Sequence, residues 1–167
     1  MLISVTQPFD LANTLESGQV FRWRRETPFE EGNVGWYYGI ISNNVVKIRH
    51  NSNDIEFFSY PDDEATMEPL LRDFLRLGDD LKSIYRSINI DQRINDAVRR
   101  YVGMRLLRQD PWECLISFIC SSNSNISRIR TNMDDISRSF GHPLKLGGHL
   151  MSTFPTPQEL AEVEEDR

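Results

Sequence analysis

The chain has only two cysteines, three lysines and three histidines in 167 residues, and each scarcity closes off a chemistry. Cys114 and Cys120 stand six apart on one expected helix and point in different directions, which argues against a disulfide between them and against two metal ligands on one face. With only His50, His142 and His149 as further candidates, a metal site is not expected, nor is any other cofactor. No apolar run approaches the length of a membrane span, and no basic-then-apolar leader stands at Met1–Leu11. The sequence therefore predicts neither a transmembrane helix nor a signal peptide, and the cytoplasm is the default expectation. Of the three lysines, Lys47 falls in an expected strand with Arg49 on the same face, Lys82 on the polar side of a short helix, and Lys145 in an expected loop. None has the desolvated setting that a Schiff-base amine needs.

What is present is enough apolar residue, 39%, for a real core, and charge of uneven sign. The net charge is −6, but residues 1–93 carry −5, residues 94–145 carry +3 and residues 146–167 carry −4. Only the middle region is basic. Arg99, Arg100, Arg105, Arg108, Arg128, Arg130 and Arg138 supply a local patch of the kind phosphate contacts need, whatever the total charge; a solvated helix face is the other reading.

Periodicity divides the chain into strands and then helices. Phe9 to Thr14 reads as a short extended start, and Glu16 to Gln19 as a turn. Phe21 and Trp23 alternate with Arg22 and Arg24 as in a half-buried strand. A turn at Gly32–Gly35 precedes strands at Trp36–Ser42, Val45–His50 and Ile55–Tyr60, with Asn43-Asn44 as the hairpin turn between the first two. Beyond Pro61, apolar stripes at helical spacing predict helices over Met67–Leu77, Leu81–Ile88 and Ile94–Val102. Residues 141–148 read as a loop. A last helix is expected from Pro155, with Thr156 as its cap, Pro157 in its first turn and Glu159 three residues after the cap. Strands followed by helices, without βαβ alternation, make the fold α+β. The expected division is a sheet region at 1–95 and a helical region at 96–167.

The clearest element is LLRQDPWECLISFICSSNSNISRIR, Leu106 to Arg130. Asp110 can cap and Pro111 suits a first helical turn. Trp112, Leu115, Ile116, Phe118 and Ile119 form an apolar run too continuous for a surface helix, so burial is expected. Ser121 to Asn125 are five small polar residues suited to a tip. The helical period then resumes at Ile126, Ile129, Met133 and Ile136 and runs to Phe140. This is a helical hairpin with a hydrogen-bonding tip.

That segment resembles the corresponding part of the 8-oxoguanine DNA glycosylases, of the helix-hairpin-helix glycosylase superfamily. FDLANTLESGQVFRW at Phe9–Trp23 is a second match and FPTPQELA at Phe154–Ala161 a weaker third, all in the family's order. The resemblance implies a small twisted, TBP-like antiparallel sheet domain followed by an all-helical domain. It implies base excision of 8-oxoguanine opposite cytosine in double-stranded DNA, with strand cleavage at the resulting abasic site. It also implies a nuclear or nucleoid location. Two family features have no match: the Leu-Pro-Gly-x-Gly hairpin and the catalytic lysine. The chain is therefore expected to be the front part of such an enzyme, with an incomplete helical domain and no catalytic residue of its own.

By the same resemblance Gly18 corresponds to the glycine whose carbonyl accepts a hydrogen bond from N7–H of the oxidised base. Ordinary guanine has a bare acceptor there, so the mismatch would become discrimination. Gln19 and Phe21 would help form the local wall. Asn123 matches the asparagine that enters the hole left in the duplex and bonds the orphaned cytosine, for which an amide has both donor and acceptor. Arg128 matches a second cytosine contact, and Asn125 and Arg130 complete the expected DNA-contacting set. The family's three consecutive tip asparagines are interrupted here by Ser124. On the residues alone, Gly18 is equally a turn glycine and Asn123 a helix-end asparagine. An alkylated-base glycosylase of the same superfamily, or a DNA-binding or structural module without catalysis, are the competing readings.

Overall fold

A computed structural model describes residues 1–26 and 35–163. The expected turn at Gly32–Gly35 falls, apart from Gly35, outside the described residues. Five strands, β1 (Leu2–Ser4), β2 (Arg24–Arg25), β3 (Tyr37–Ile41), β4 (Asn44–Asn51) and β5 (Asp54–Tyr60), form one antiparallel sheet in the order β1-β5-β4-β3-β2. The register Tyr37↔Ile48↔Phe57 puts one row of apolar side chains on the inner face, and Tyr38↔Lys47↔Phe58 puts the alternate row on the outer face.

Three early expectations are corrected. The start is not extended: Asp10 accepts from the Asn13 amide at 2.8 Å and caps a helix, α1 (Leu11–Glu16), whose Leu11 and Leu15 point into the core one turn apart. The strand expected over Phe21–Trp23 begins later, at Arg24. Arg22, expected to face outward, is only 4% exposed, because Glu113 and Phe154 enclose it. Leu2–Ser4, which carried no strand expectation, pairs with β5 through Ile3, a fully buried residue.

The inner face packs on α1 and on α2 (Glu64–Phe74), capped by Asp63. Ile3, Val46, Ile48, Ile55, Phe57, Met67, Leu71 and Leu75 are all at 0% exposure in this cluster. Trp23 lies across Gly39, where any β-carbon would meet its ring at 2.2 Å, and stacks on Phe74 at 5.7 Å. The third and fourth helices, α3 (Leu81–Ile88) and α4 (Gln92–Arg100), follow where periodicity placed them, each with an aspartate cap.

The helical hairpin consists of α5 (Pro111–Cys120) and α6 (Ile126–Phe140). Its core is small: Ile129, Met133 and Phe154 are buried, with Phe21, Trp112, Ile116 and Ile136 packed around them. Burial of α5 as a whole is corrected. Leu115, Phe118 and Ile119 are 50%, 74% and 58% exposed, since the described residues cover only its Trp112–Ile116 side. The loop expected over 141–148 is instead the start of a β-hairpin, β6 (Pro143–Leu146) and β7 (His149–Ser152), turning at Gly147-Gly148. His149 lies over Tyr38 with ring centroids 3.7 Å apart, so this hairpin covers part of the sheet's outer face. The last helix, α7 (Pro157–Ala161), has both halves of the Thr156/Glu159 capping box.

Candidate nucleic-acid interface

At the hairpin tip the side chains divide into those consumed by backbone capping and those left free. Ser121 Oγ donates to the Phe118 carbonyl at 2.6 Å, and the Ser124 amide donates to the Ser121 carbonyl at 3.2 Å. Asn125 accepts from the Arg128 amide at 2.9 Å, so its side chain caps α6. Asn123 sits between them with φ +50, an exposed left-handed residue of the kind asparagine tolerates better than most. Its amide has no hydrogen-bond partner among the described residues. Ser124 Oγ is buried and likewise unpartnered.

The basic patch also divides. Arg105 is buried, Arg108 pairs with Asp73 at 2.9 Å, Arg138 pairs with Asp135, and Arg100 lies over Tyr101. Arg128 and Arg130, in the first turns of α6, are exposed and form no ion pair among the described residues. They stand at the end of the helix whose dipole and free amides favour negative charge.

Gly18 follows α1 with φ +86, a conformation that L side chains rarely adopt. Its carbonyl accepts no hydrogen bond from a described residue. A β-carbon there would lie 3.8 Å from Ile126 Cδ1, so Gly18 and the first residue of α6 are neighbours. Sequence reasoning passed over Ile126 as one more helical apolar residue. Its signal was position: at 58% exposure it opens the helix beside the tip.

Gln19 and Phe21 make separate contacts. The Gln19 amide is turned back onto the chain at Arg105 and Leu107, with three contacts at 2.9 Å, to the Arg105 carbonyl, the Leu107 amide and Ser17 Oγ. Phe21 packs into the hairpin core and lines a cavity of about 420 Å³ shared with Trp23, Phe74, Trp112, Glu113 and Phe154. Across that cavity's wall Arg22 pairs with Glu113 at 3.1 Å and also donates to the Ser152 carbonyl. Burial pushes the Glu113 carboxyl above its ordinary value, with the Arg22 guanidinium pulling the other way.

Lys47 pairs with Glu26 at 3.5 Å and lies over Trp36 and Tyr38; Lys82 is exposed on α3. Lys145 is exposed on β6, rather than in the expected loop. Among the described residues no group of three or more His, Cys, Asp or Glu is placed to hold a metal ion, and no helix is long and apolar enough to cross a membrane.

The fold has relatives among DNA glycosylases. It superposes on the 3-methyladenine DNA glycosylase of Archaeoglobus fulgidus with a TM-score of 0.68 over 96% of this chain, at 15% identity, a likeness of fold alone. Residues 1–115 match the model of the 8-oxoguanine DNA glycosylase N-terminal domain, and the chain belongs to that family. It is 33% identical over 158 residues to N-glycosylase/DNA lyase OGG1 of Arabidopsis thaliana, covering 92% of this chain and 41% of that protein. MBOgg1 in complex with a low-affinity DNA ligand superposes with a TM-score of 0.85 at 32% identity, covering 98% of this chain and 54% of the other. The Clostridium acetobutylicum 8-oxoguanine glycosylase/lyase, in complex with double-stranded DNA containing cytosine opposite 8-oxoguanine, gives 0.82 at 29% identity, covering 99% and 57%. The chain thus spans about half the length of the relatives it matches.

Proposed function

We propose that this chain is the base-recognition and orphan-base-contacting part of an enzyme that excises 8-oxoguanine from double-stranded DNA and cleaves the abasic site. The observation that carries this is the meeting of Gly18, with its left-handed φ, and the start of α6 beside a tip where, among the described residues, the Gly18 carbonyl, the Asn123 amide, Arg128 and Arg130 have no partner. The carbonyl serves N7–H of the oxidised base and Asn123 with Arg128 serves the orphaned cytosine, while Arg130 holds phosphate. Asn125 supports the tip as a cap. The division into a sheet part at 1–95 and a part at 96–167 that is helical apart from the β6–β7 hairpin, and a nuclear or nucleoid place of work, belong to the same proposal.

The chemistry requires an amine nucleophile; Lys47 is engaged with Glu26, and Lys82 and Lys145 are exposed on α3 and β6, so none has a desolvated setting. The test is borohydride trapping on a duplex with 8-oxoguanine opposite cytosine. The 167-residue chain is expected to give no covalent complex, and the full coding product of the gene to give one through a lysine outside these residues. Trapping by the 167-residue chain would overturn this assignment. Preference for an alkylated base over 8-oxoguanine would favour the alkylation-repair alternative.

A further inference from the structure

Gly18 is a soft place to mount a recognition group. Glycine at φ +86 has wide conformational freedom, and nothing among the described residues holds its carbonyl oxygen. Yet a carbonyl that discriminates by a single hydrogen bond must point in one direction. The peptide unit between Gly18 and Gln19 is planar, so the carbonyl's direction is set by how Gln19 is held.

Gln19 is held at both polar atoms of its side chain. Nε2 donates to the Arg105 carbonyl at 2.9 Å and to Ser17 Oγ at 2.9 Å, and Oε1 accepts from the Leu107 amide at 2.9 Å. Thr14 Oγ1 accepts from the Arg105 amide at 3.2 Å. Side chains thereby satisfy the N–H of Arg105, its C=O and the N–H of Leu107, as a neighbouring strand would. The anchor itself is firm. Arg105 is 2% exposed and its guanidinium donates to the Arg76 carbonyl at 2.6 Å, while Leu107 is part of the sheet's core. Three residues past Leu107, Asp110 caps α5 and opens the hairpin.

We infer that Gln19 is a positioning residue: its amide clamps the Gly18–Gln19 peptide to the Arg105–Leu107 segment, fixing the Gly18 carbonyl relative to the hairpin, instead of lining the base pocket. The inference rests on the reading of Gly18 given above. It explains why glutamine suits this position. Glutamate keeps the acceptor for Leu107 but sets an anionic oxygen against the Arg105 carbonyl; methionine keeps the length and loses both bonds; asparagine is a methylene shorter.

The test compares the wild-type chain with Gln19→Met and Gln19→Glu in two measurements. The first is the carbonyl carbon resonance of Gly18 in selectively labelled protein. The wild type is expected to show one sharp line and Gln19→Met a doubled or broadened one, while core resonances such as those of Phe57 stay in place. A single unshifted Gly18 line in folded Gln19→Met overturns the inference. Gln19→Glu, which retains the Leu107 bond, serves the same comparison if the methionine variant fails to fold. The second is the ratio of affinities for duplexes with 8-oxoguanine or guanine opposite cytosine, which a general loss of stability does not change. Gln19→Met is expected to lower that preference about tenfold, or about 1.4 kcal/mol, and an unchanged ratio overturns the inference. If the wild type shows no preference, the base-recognition reading of Gly18 falls, and the carbonyl resonance alone decides whether Gln19 positions it.

Discussion

The sheet region and the hairpin region bury their apolar residues to very different depths. Eight residues of the sheet cluster named above have no exposed surface, drawn from β1, β4, β5, α2 and the residue that ends α2, Leu75. The hairpin cluster has three buried members, and only Met133 among them is fully enclosed. On the hairpin, Phe118, Ile119 and Ile126 lie more than half exposed. The region that carries the candidate interface therefore contributes less to stability than the region that supports it, a distribution common to binding elements. It also follows that substitutions should separate: those in the sheet act on folding, those at the tip on recognition.

The largest effect should come from Phe57→Ala. A fully buried ring on β5 is replaced by a methyl group and a cavity, at a cost of about 3–5 kcal/mol. Phe118→Ala, the same chemical change at 74% exposure, should move stability by no more than about 0.5 kcal/mol. Urea unfolding of the two variants checks the pair. Equal losses would mean that the hairpin is as tightly packed as the sheet.

The next effect lies where the two regions meet. Arg22→Met removes the cation from Glu113 and a donor from the Ser152 carbonyl, and should cost about 1–3 kcal/mol. Glu113 also makes a pH prediction. Its folded-state pKa is raised above its ordinary value of 4.5, so the folded protein holds this proton more tightly than the unfolded chain does. The stability it contributes is present below 4.5 and is lost as pH rises through the folded value. Melting temperature followed upward from pH 4 should show that loss in the wild type and a flatter profile in Glu113→Gln. Parallel profiles would remove Glu113 as the source.

How far these features were legible depends on whether the pattern was local. The helices α2 to α6 announced themselves through apolar spacing, because that signal lies within one or two turns of sequence. The β6–β7 hairpin carried a signal too, Gly147-Gly148 between apolar residues, but strands that short are stabilised by what they cover. Tyr38, far upstream, is part of that covering contact. Arg22 shows the same limit. Its alternation with Phe21 and Trp23 pointed outward, and Glu113, Ser152 and Phe154, all distant in sequence, make burial acceptable. Gln19 read as part of a wall because its neighbour is Gly18; its partners at Arg105 and Leu107 are invisible to any local reading. The proposed site residues rest on resemblance, since neither a turn glycine nor a helix-end asparagine is distinctive alone.

At the tip, Asn123→Ala should leave folding almost untouched, since the side chain is exposed and has no partner among the described residues. It should cost about 1–3 kcal/mol of preference for cytosine opposite the lesion. Melting temperature and affinity for duplexes with each of the four opposite bases check this together. A large drop in melting temperature with opposite-base preference retained would make Asn123 a structural helix-end residue.

The smallest effect on the molecule itself should come from Arg128→Ala combined with Arg130→Ala. Both side chains are exposed and neither pairs with a carboxylate among the described residues, so their loss removes no internal contact and stability should stay within about 0.5 kcal/mol. On the proposed reading Arg130 holds phosphate and Arg128 contacts the orphaned cytosine. Each phosphate neutralised releases condensed counterions, so the logarithm of affinity falls with the logarithm of salt concentration by about 0.9 per contact. Removing both should flatten that slope by about 0.9, the share of the Arg130 phosphate contact, and weaken binding to all duplexes more nearly alike than Asn123→Ala does. Measuring affinity across a range of salt concentrations reads the slope directly. The sheet region carries −5 and is a poor competitor for phosphate, whereas the hairpin region carries +3. If the slope is unchanged by the double substitution, phosphate contact runs through another surface, and the separation between a region that folds and a region that recognises no longer holds.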